Sequence, residues 1–329
     1  MHSDLVELGW TEEQWNRIRG AVTEEAQKAR VAAQMLPVVG PEDPSTTAVP
    51  QFWLFDEPQP QPPPPRRLDV ASQPNLPLTT IAVNVAIHSR EAADPNLTAA
   101  LGKFRRAANY VARIEDALVF NGRPGPGLPP PIPMLGGIPA VFTVHGDGAP
   151  DGLMPLFPPP PPPPFPAAVG LRAPIAVWGP RVGPVGAVPI GQQIIDAIVQ
   201  AINALDAAGQ LGPYACALSP GLFAEICRPN QNLVLPRDRI LPFLQGPLLR
   251  SNSIFEVVFR VPRLGAVNVG NGVVVALSAN PIELVVASDI DVRYLQTSEE
   301  PRLVFRVSER VALRIKEYSA IATLTAVYW

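Results

Sequence analysis

Three histidines, two cysteines and one closely spaced carboxylate pair are the side chains whose types could support catalysis or metal binding. A hydrolytic engine of the Ser-His-Asp or Cys-His kind needs a positioned imidazole. His2 sits at the terminus, His88 in a stretch patterned as a strand, and His145 in a proline-rich stretch where His145-Gly146-Asp147-Gly148 reads as a turn. No Gly-x-Ser-x-Gly elbow is present, and the glycines at 183, 186 and 191 lack the spacing of a phosphate cradle. Cys216 and Cys227 fit no metal-ligand spacing and are too few for a disulfide scaffold. Asp289 and Asp291 lie two apart on a predicted strand, so both could face one side and hold a divalent cation. Solvated or salt-bridged strand carboxylates are the plainer reading. The sequence supports no enzyme activity, cofactor or metal.

Composition narrows the partners. Hydrophobic residues make up 47% of the 329 positions and charged residues 17%, with a formal net charge of −3. That is enough to bury a real core, and the charge density lies below the roughly 25% usual for soluble domains, which implies that something covers much of the surface. Without a basic surplus there is no electrostatic footprint for nucleic acid. No apolar run is long enough for a membrane span, and the start, Met1 to Trp10, lacks the pattern of a secretory signal. The chain reads as cytoplasmic.

The elements that must position any function are set by periodicity and by proline. Of 43 prolines, 12 fall between positions 37 and 77 and 21 between 124 and 189. Thr11 with Glu12 and Glu13 suits a helix start, and Trp15, Ile18, Val22, Ala26, Ala29 and Ala33 continue one helical face to about residue 35. Residues 41–80 read as an extended arm ending in a strand at 78–88. Asp94 and Pro95 open a long second helix, a spine, closed by Asn121 and Gly122. Residues 123–189 read as a surface insertion with short strands such as Ala140 to Val144, and the run from Pro158 to Pro164 as a polyproline spacer. From 190 onward helices are predicted at 194–205, 220–226 and 240–244. Strands are predicted at 214–218, 254–261, 273–277, 282–286, 290–295, 302–307 and 320–328. Phe52, Trp53 and Phe55 have no local core in an extended arm, which points to packing against another subunit.

Several runs then resemble, in order, the encapsulins, nanocompartment shell proteins with the tailed-phage major capsid fold. Thr11-Glu12-Glu13-Gln14-Trp15 followed by Ile18, with the exit at Gly40-Pro41, resembles the family's amino-terminal helix. Arg113-Ile114-Glu115-Asp116-Ala117-Leu118-Val119-Phe120-Asn121-Gly122 is similar to the end of its spine helix. Gly212-Pro213-Tyr214, Asp289-Ile290-Asp291-Val292-Arg293-Tyr294 and Arg302 through Arg314 match its later strands.

The resemblance implies an α+β, capsid-like fold. Its parts would be an amino-terminal helix (1–40), an extended arm or E-loop (41–93), a spine helix of the peripheral domain (94–122), the proline-rich insertion (123–189), an axial domain (190–285) and carboxy-terminal strands of the peripheral domain (286–329). Residues 255–271 would form a second, smaller insertion. The resemblance also implies a self-assembling icosahedral shell enclosing a cargo enzyme such as a ferritin-like protein or peroxidase. Cargo would dock where the first helix exits, at Met35, Leu36, Val38, Asp289 and Ile290. The charged residues that dock cargo elsewhere in the family align here with Ala33 and Pro37, so the docking is expected to be apolar. No flavin-binding tryptophan stands near His88 to Glu91, so no cofactor is expected. The alternatives are a prophage major capsid protein packaging DNA and a proline-rich adaptor or scaffold; a hydrolase using His145 is a third, disfavoured reading.

Overall fold

A computed structural model of the chain describes residues 9–43, 45–56, 68–122, 142–146, 148, 152–154, 175–179, 188–229, 235–261, 265–297 and 302–329. The polyproline run at 158–164 and most of the predicted insertion lie outside the described residues, as do the side chains of Phe52, Trp53 and Phe55.

Helix α1 (Glu12–Ala29) starts at a capping box: Gln14 N–H donates to Thr11 Oγ1 at 3.2 Å and Thr11 N–H donates to Gln14 Oε1 at 2.9 Å. The expected single helix to residue 35 is divided. The chain turns extended at Arg30 and resumes as α2 (Ala32–Met35). Nothing in the apolar spacing marks that break, because its cause is a distant carboxylate described below. After the two-residue strand β1 (Val38–Val39), the arm is a hairpin, β2 (Ala48–Asp56) against β3 (Leu68–Pro77), rather than extended chain. Strand β4 (Thr79–His88) and the turn α3 (Ser89–Ala92) lead to the spine, α4 (Thr98–Asn121). Asp94, expected to open that helix, accepts the Thr98 N–H at 3.0 Å instead, and Gly122 closes it with a φ of 72°.

Beyond the spine come β5 (Phe142–His145), β6 (Ile175–Gly179), α5 (Ile190–Asp206), β7 (Tyr214–Leu218), α6 (Pro220–Ile226), α7 (Pro236–Leu244), β8 (Gln245–Arg250), β9 (Glu256–Val261), β10 (Gly265–Ala276), β11 (Ile282–Thr297), β12 (Arg302–Ile315) and β13 (Ile321–Tyr328). One sheet has the order β1-β11-β12-β4-β5, and a second has β6-β13-β10-β7-β8 with β9 beside β10. The strands predicted at 282–286 and 290–295 are one bulged strand, β11. The segment 255–271, read as an insertion, is a β9–β10 hairpin integral to the second sheet. The boundary drawn at 285/286 falls inside β11, and β13, grouped by the sequence with the other carboxy-terminal strands at 286–329, pairs with β10 and β6 in the second sheet. Parts of the insertion are structural too. β5 extends the first sheet, β6 extends the second, and Leu153 is fully buried, its N–H donating to Val119 O at 2.8 Å.

An aromatic node anchors α1 to the first sheet. Trp10 stacks on Phe305 of β12 at 5.1 Å, and Trp15, Phe104 of α4 and Tyr294 of β11 meet the same ring edge-on within 6.1 Å. A separate small core of Val49, Leu76, Leu78, Val285, Ala287 and Ala312 fixes the root of the hairpin on β11 and β12. Among the described residues, no helix is long and apolar enough to cross a membrane.

Candidate functional site

The residues singled out for docking converge where α1 ends, but only part of the set faces solvent. Val38 is 51% exposed and the Asp289 side chain 58%. Met35, Leu36 and Ile290 are 2%, 4% and 6% exposed and belong to the core. The expectation that these three are open to an apolar peptide is therefore corrected: Met35 at the end of α2, Leu36 just after it and Ile290 on β11 all pack into the main core. Of that set the Val38 side chain and the Asp289 carboxylate remain exposed, and the short β1 pairs in parallel with β11 at Val38↔Leu284 and Val39↔Val285. Gly40 closes this corner, since a Cβ there would meet Val286 O at 2.1 Å.

Beneath the surface the sequence reading missed a charged node. Arg30, 8% exposed, reaches three carboxylates: Nε lies 2.7 Å from Glu115 Oε2, Nη1 2.8 Å from Asp289 Oδ1, and Nη2 2.7 Å from Glu309 Oε2. Thus one side chain ties α1 to the spine, to β11 and to β12. Asp116 completes the arrangement by accepting the Ala32 N–H at 2.7 Å and the Val31 N–H at 3.0 Å. Those two bonds satisfy the start of α2 and hold the break after α1. The charged residues at the end of α1 are thus Arg30 and Asp289, paired with each other, rather than residues at positions 33 and 37. The available signal was Glu115-Asp116 inside an apolar helical run, since a buried carboxylate pair requires a cation somewhere.

Burial dominates the electrostatics. It pushes Glu115 well above the usual carboxylate range, with the Glu309 charge adding to it and Arg30 opposing. Asp116 is pushed up to about 7 by burial, against the pull of the two backbone donors. Glu309 is raised by burial, with Arg30 opposing. Burial works against the Arg30 charge, but Glu309, Glu115 and Asp289 outweigh it, so the guanidinium keeps its proton more firmly than usual.

Asp289 and Asp291 do not form a cation site: Asp289 pairs with Arg30, while Asp291 lies 3.8 Å from both Arg19 and Arg293. No His, Cys, Asp and Glu grouping suited to a metal occurs among the described residues. His145 stands exposed on β5 opposite Thr80, and Gly146 after it turns with a φ of 98°. Cys216 is buried in β7, where burial raises its thiol pKa above the usual value.

Residues 8–130 and 187–312 match the Linocin_M18 family, encapsulating protein for peroxidase. The unmatched interval falls in the proline-rich segment. The chain is 33% identical over 129 residues to the type 1 encapsulin shell protein EncA of Myxococcus xanthus (strain DK1622). That alignment covers 39% of this chain and 40% of the relative, so the chain spans about two-fifths of the length of that protein. Its fold is similar to that of the virus-like particle from Pyrococcus furiosus, with a TM-score of 0.52 at 16% identity over 95% of this chain and 99% of that one. It is also similar to the capsid of Myoviridae phage XM1, with a TM-score of 0.51 at 12% identity over 88% and 89%. At such identities the likeness is one of fold.

Proposed function

Since the chain belongs to the Linocin_M18 family of encapsulating proteins, we propose that it builds a closed icosahedral shell in the cytoplasm and holds a cargo enzyme inside by a short peptide docked beside Val38 and Asp289. The shell role itself follows from the family and the capsid fold; the family is structural, and the chain needs no active site of its own. The docking reading rests on one observation: after the exit of α1, Val38 of the two-residue strand β1 is half exposed and Asp289, further along the neighbouring β11, has an exposed carboxylate, while Met35, Leu36 and Ile290 are already committed to the core. A peptide arriving there finds a small apolar contact, one anion and a short strand, a combination suited to a segment with an apolar residue and a cationic one. Phe52, Trp53 and Phe55 of β2 are proposed as contacts to a neighbouring subunit. A ferritin-like protein or a peroxidase is the proposed cargo class.

Co-expression of the shell with candidate cargo tests the corner. Val38→Asp and Asp289→Lys should each lower co-purified cargo at least several-fold while leaving particles of normal size. Undiminished cargo in both variants would remove the site. Nuclease-protected DNA inside the particles in place of protein would favour the prophage capsid reading, which shares the fold.

A further inference from the structure

We propose that Glu115 and Glu309 share one proton beneath Arg30, and that this buried acid pair makes the seating of the amino-terminal helix pH-responsive, loosening as pH rises. The proposal goes beyond the shell assignment and stands on the geometry of the node. Both carboxyl groups are completely buried, and both close on the one Arg30 guanidinium at 2.7 Å. None of the four oxygens of Glu115 and Glu309 makes a hydrogen bond, and the ion-pair contacts from Arg30 fall on Oε2 of each, so both Oε1 atoms stand without a partner. A proton placed between the two groups turns one carboxylate into a donor and the other into its acceptor. It also leaves the fully buried pair with one negative charge instead of two, beside a guanidinium that Asp289 contacts as well.

Among the described residues, the other cations on these elements for which a contact is seen are engaged elsewhere. On α1, Lys28 pairs outward with Glu24 and Arg19 lies by Asp291. On α2 no residue titrates. On α4 the neighbouring group is Asp116, already engaged by Val31 and Ala32. On β11, Asp289 takes the third edge of Arg30, and Asp291 is shared by Arg19 and Arg293. On β12, Arg310 donates to Thr46 O at the hairpin root. On β4, the residue opposite Glu309 is Ile81.

The sign follows from linkage. A carboxyl that holds its proton more tightly folded than unfolded contributes stability that is fully present below the unfolded value near 4.5, and that stability is lost as pH rises through the raised folded value. Opening of α1 hydrates the pair and releases the proton, so in that window the opening constant should climb about tenfold per pH unit for one proton released. Asp116, at about 7, steepens the same trend.

Two measurements on assembled shells test this. Infrared spectra in heavy water should show a carboxylic-acid carbonyl band in the wild type at neutral pH, weakened in Glu115→Gln. Amide exchange of residues 12–29, corrected for intrinsic rates, should accelerate with pH in the wild type, and the slope should drop by about a factor of ten per pH unit in Glu115→Gln, whose amide mimics the protonated acid. Absence of the acid band at neutral pH would overturn the proposal, and so would equal exchange slopes in the two proteins. If Glu115→Gln does not fold, the wild-type infrared spectrum alone decides.

Discussion

Arg30 is the residue on which three elements depend. Removing its charge while keeping its bulk, as in Arg30→Met, strands Glu115 and Glu309 in a dry site, and breaking a buried pair from one side costs about 3–5 kcal/mol. Urea denaturation of the isolated subunit should show a loss of that size. Adding Glu115→Gln and Glu309→Gln to the same variant should return much of it, because neutral amides need no counter-charge; an unimproved triple variant would show that Arg30 acts by packing alone. At this scale the sequence was only partly legible. Trp15, Ile18 and Val22 announced their burial by spacing, and Thr11 its capping role by position. Arg30 gave no such sign, since its partners stand 85, 259 and 279 positions away along the chain. Met35, Leu36 and Ile290 looked like a binding surface for the same reason. An apolar residue at a chain exit can serve core or partner equally well, and only the break imposed by Asp116 decides between them.

Elements were read more surely when their period was local. The spine, α5 and β7 lie close to where spacing put them, whereas β11 was divided in two because its bulges interrupt the alternation near Ser288. The proline-rich region was the harder case. A strand was legible at Ala140 to Val144, where β5 lies, but the prolines obscured β6, the place of both strands at the edges of the two sheets, and the buried plug Leu153. Wholesale replacement of 126–184 by a flexible link, which the sequence alone would allow, is now expected to give insoluble protein, because it strips a strand from each sheet and leaves a hole beside Val119 and Phe120. Excision confined to 156–172 should leave folding and assembly intact, since a proline run has no backbone donor to contribute to a ladder. Leu153→Ala, which leaves both strands in place, should lower subunit stability by about 2–5 kcal/mol. Soluble, correctly sized particles from the 126–184 replacement would show that β5 and β6 are dispensable edges.

For the whole molecule, the hairpin arm is the one described element that rests on the body by a narrow root. Leu78 N–H donates to Thr47 O at 2.9 Å, so the two ends of the arm already touch. Arg310 donates to Thr46 O, and Arg314, itself paired with Glu283, donates to Pro50 O at 3.4 Å. Among the described side chains of the arm, Val49 and Leu76 carry buried apolar contact across the root to Leu78, Val285, Ala287 and Ala312. Two such side chains are worth roughly 1.5–3 kcal/mol each, less than the 5–15 kcal/mol typical of a folded domain, so a subunit without its arm should still fold. Beyond the root the arm continues as the paired strands β2 and β3, and Phe52, Trp53 and Phe55 of β2 are the residues proposed above to contact a neighbouring subunit. The deletion must stop short of β4, which sits between β12 and β5 and whose loss would open the first sheet. Joining Thr47 to Leu78 through a short Gly-Ser link should therefore give a soluble, cooperatively unfolding subunit that elutes as a small species in size-exclusion chromatography. Particles of full size from that variant would mean that closure is carried by contacts elsewhere on the two sheets, and an unfolded product would mean that the root core weighs more than its two buried side chains suggest.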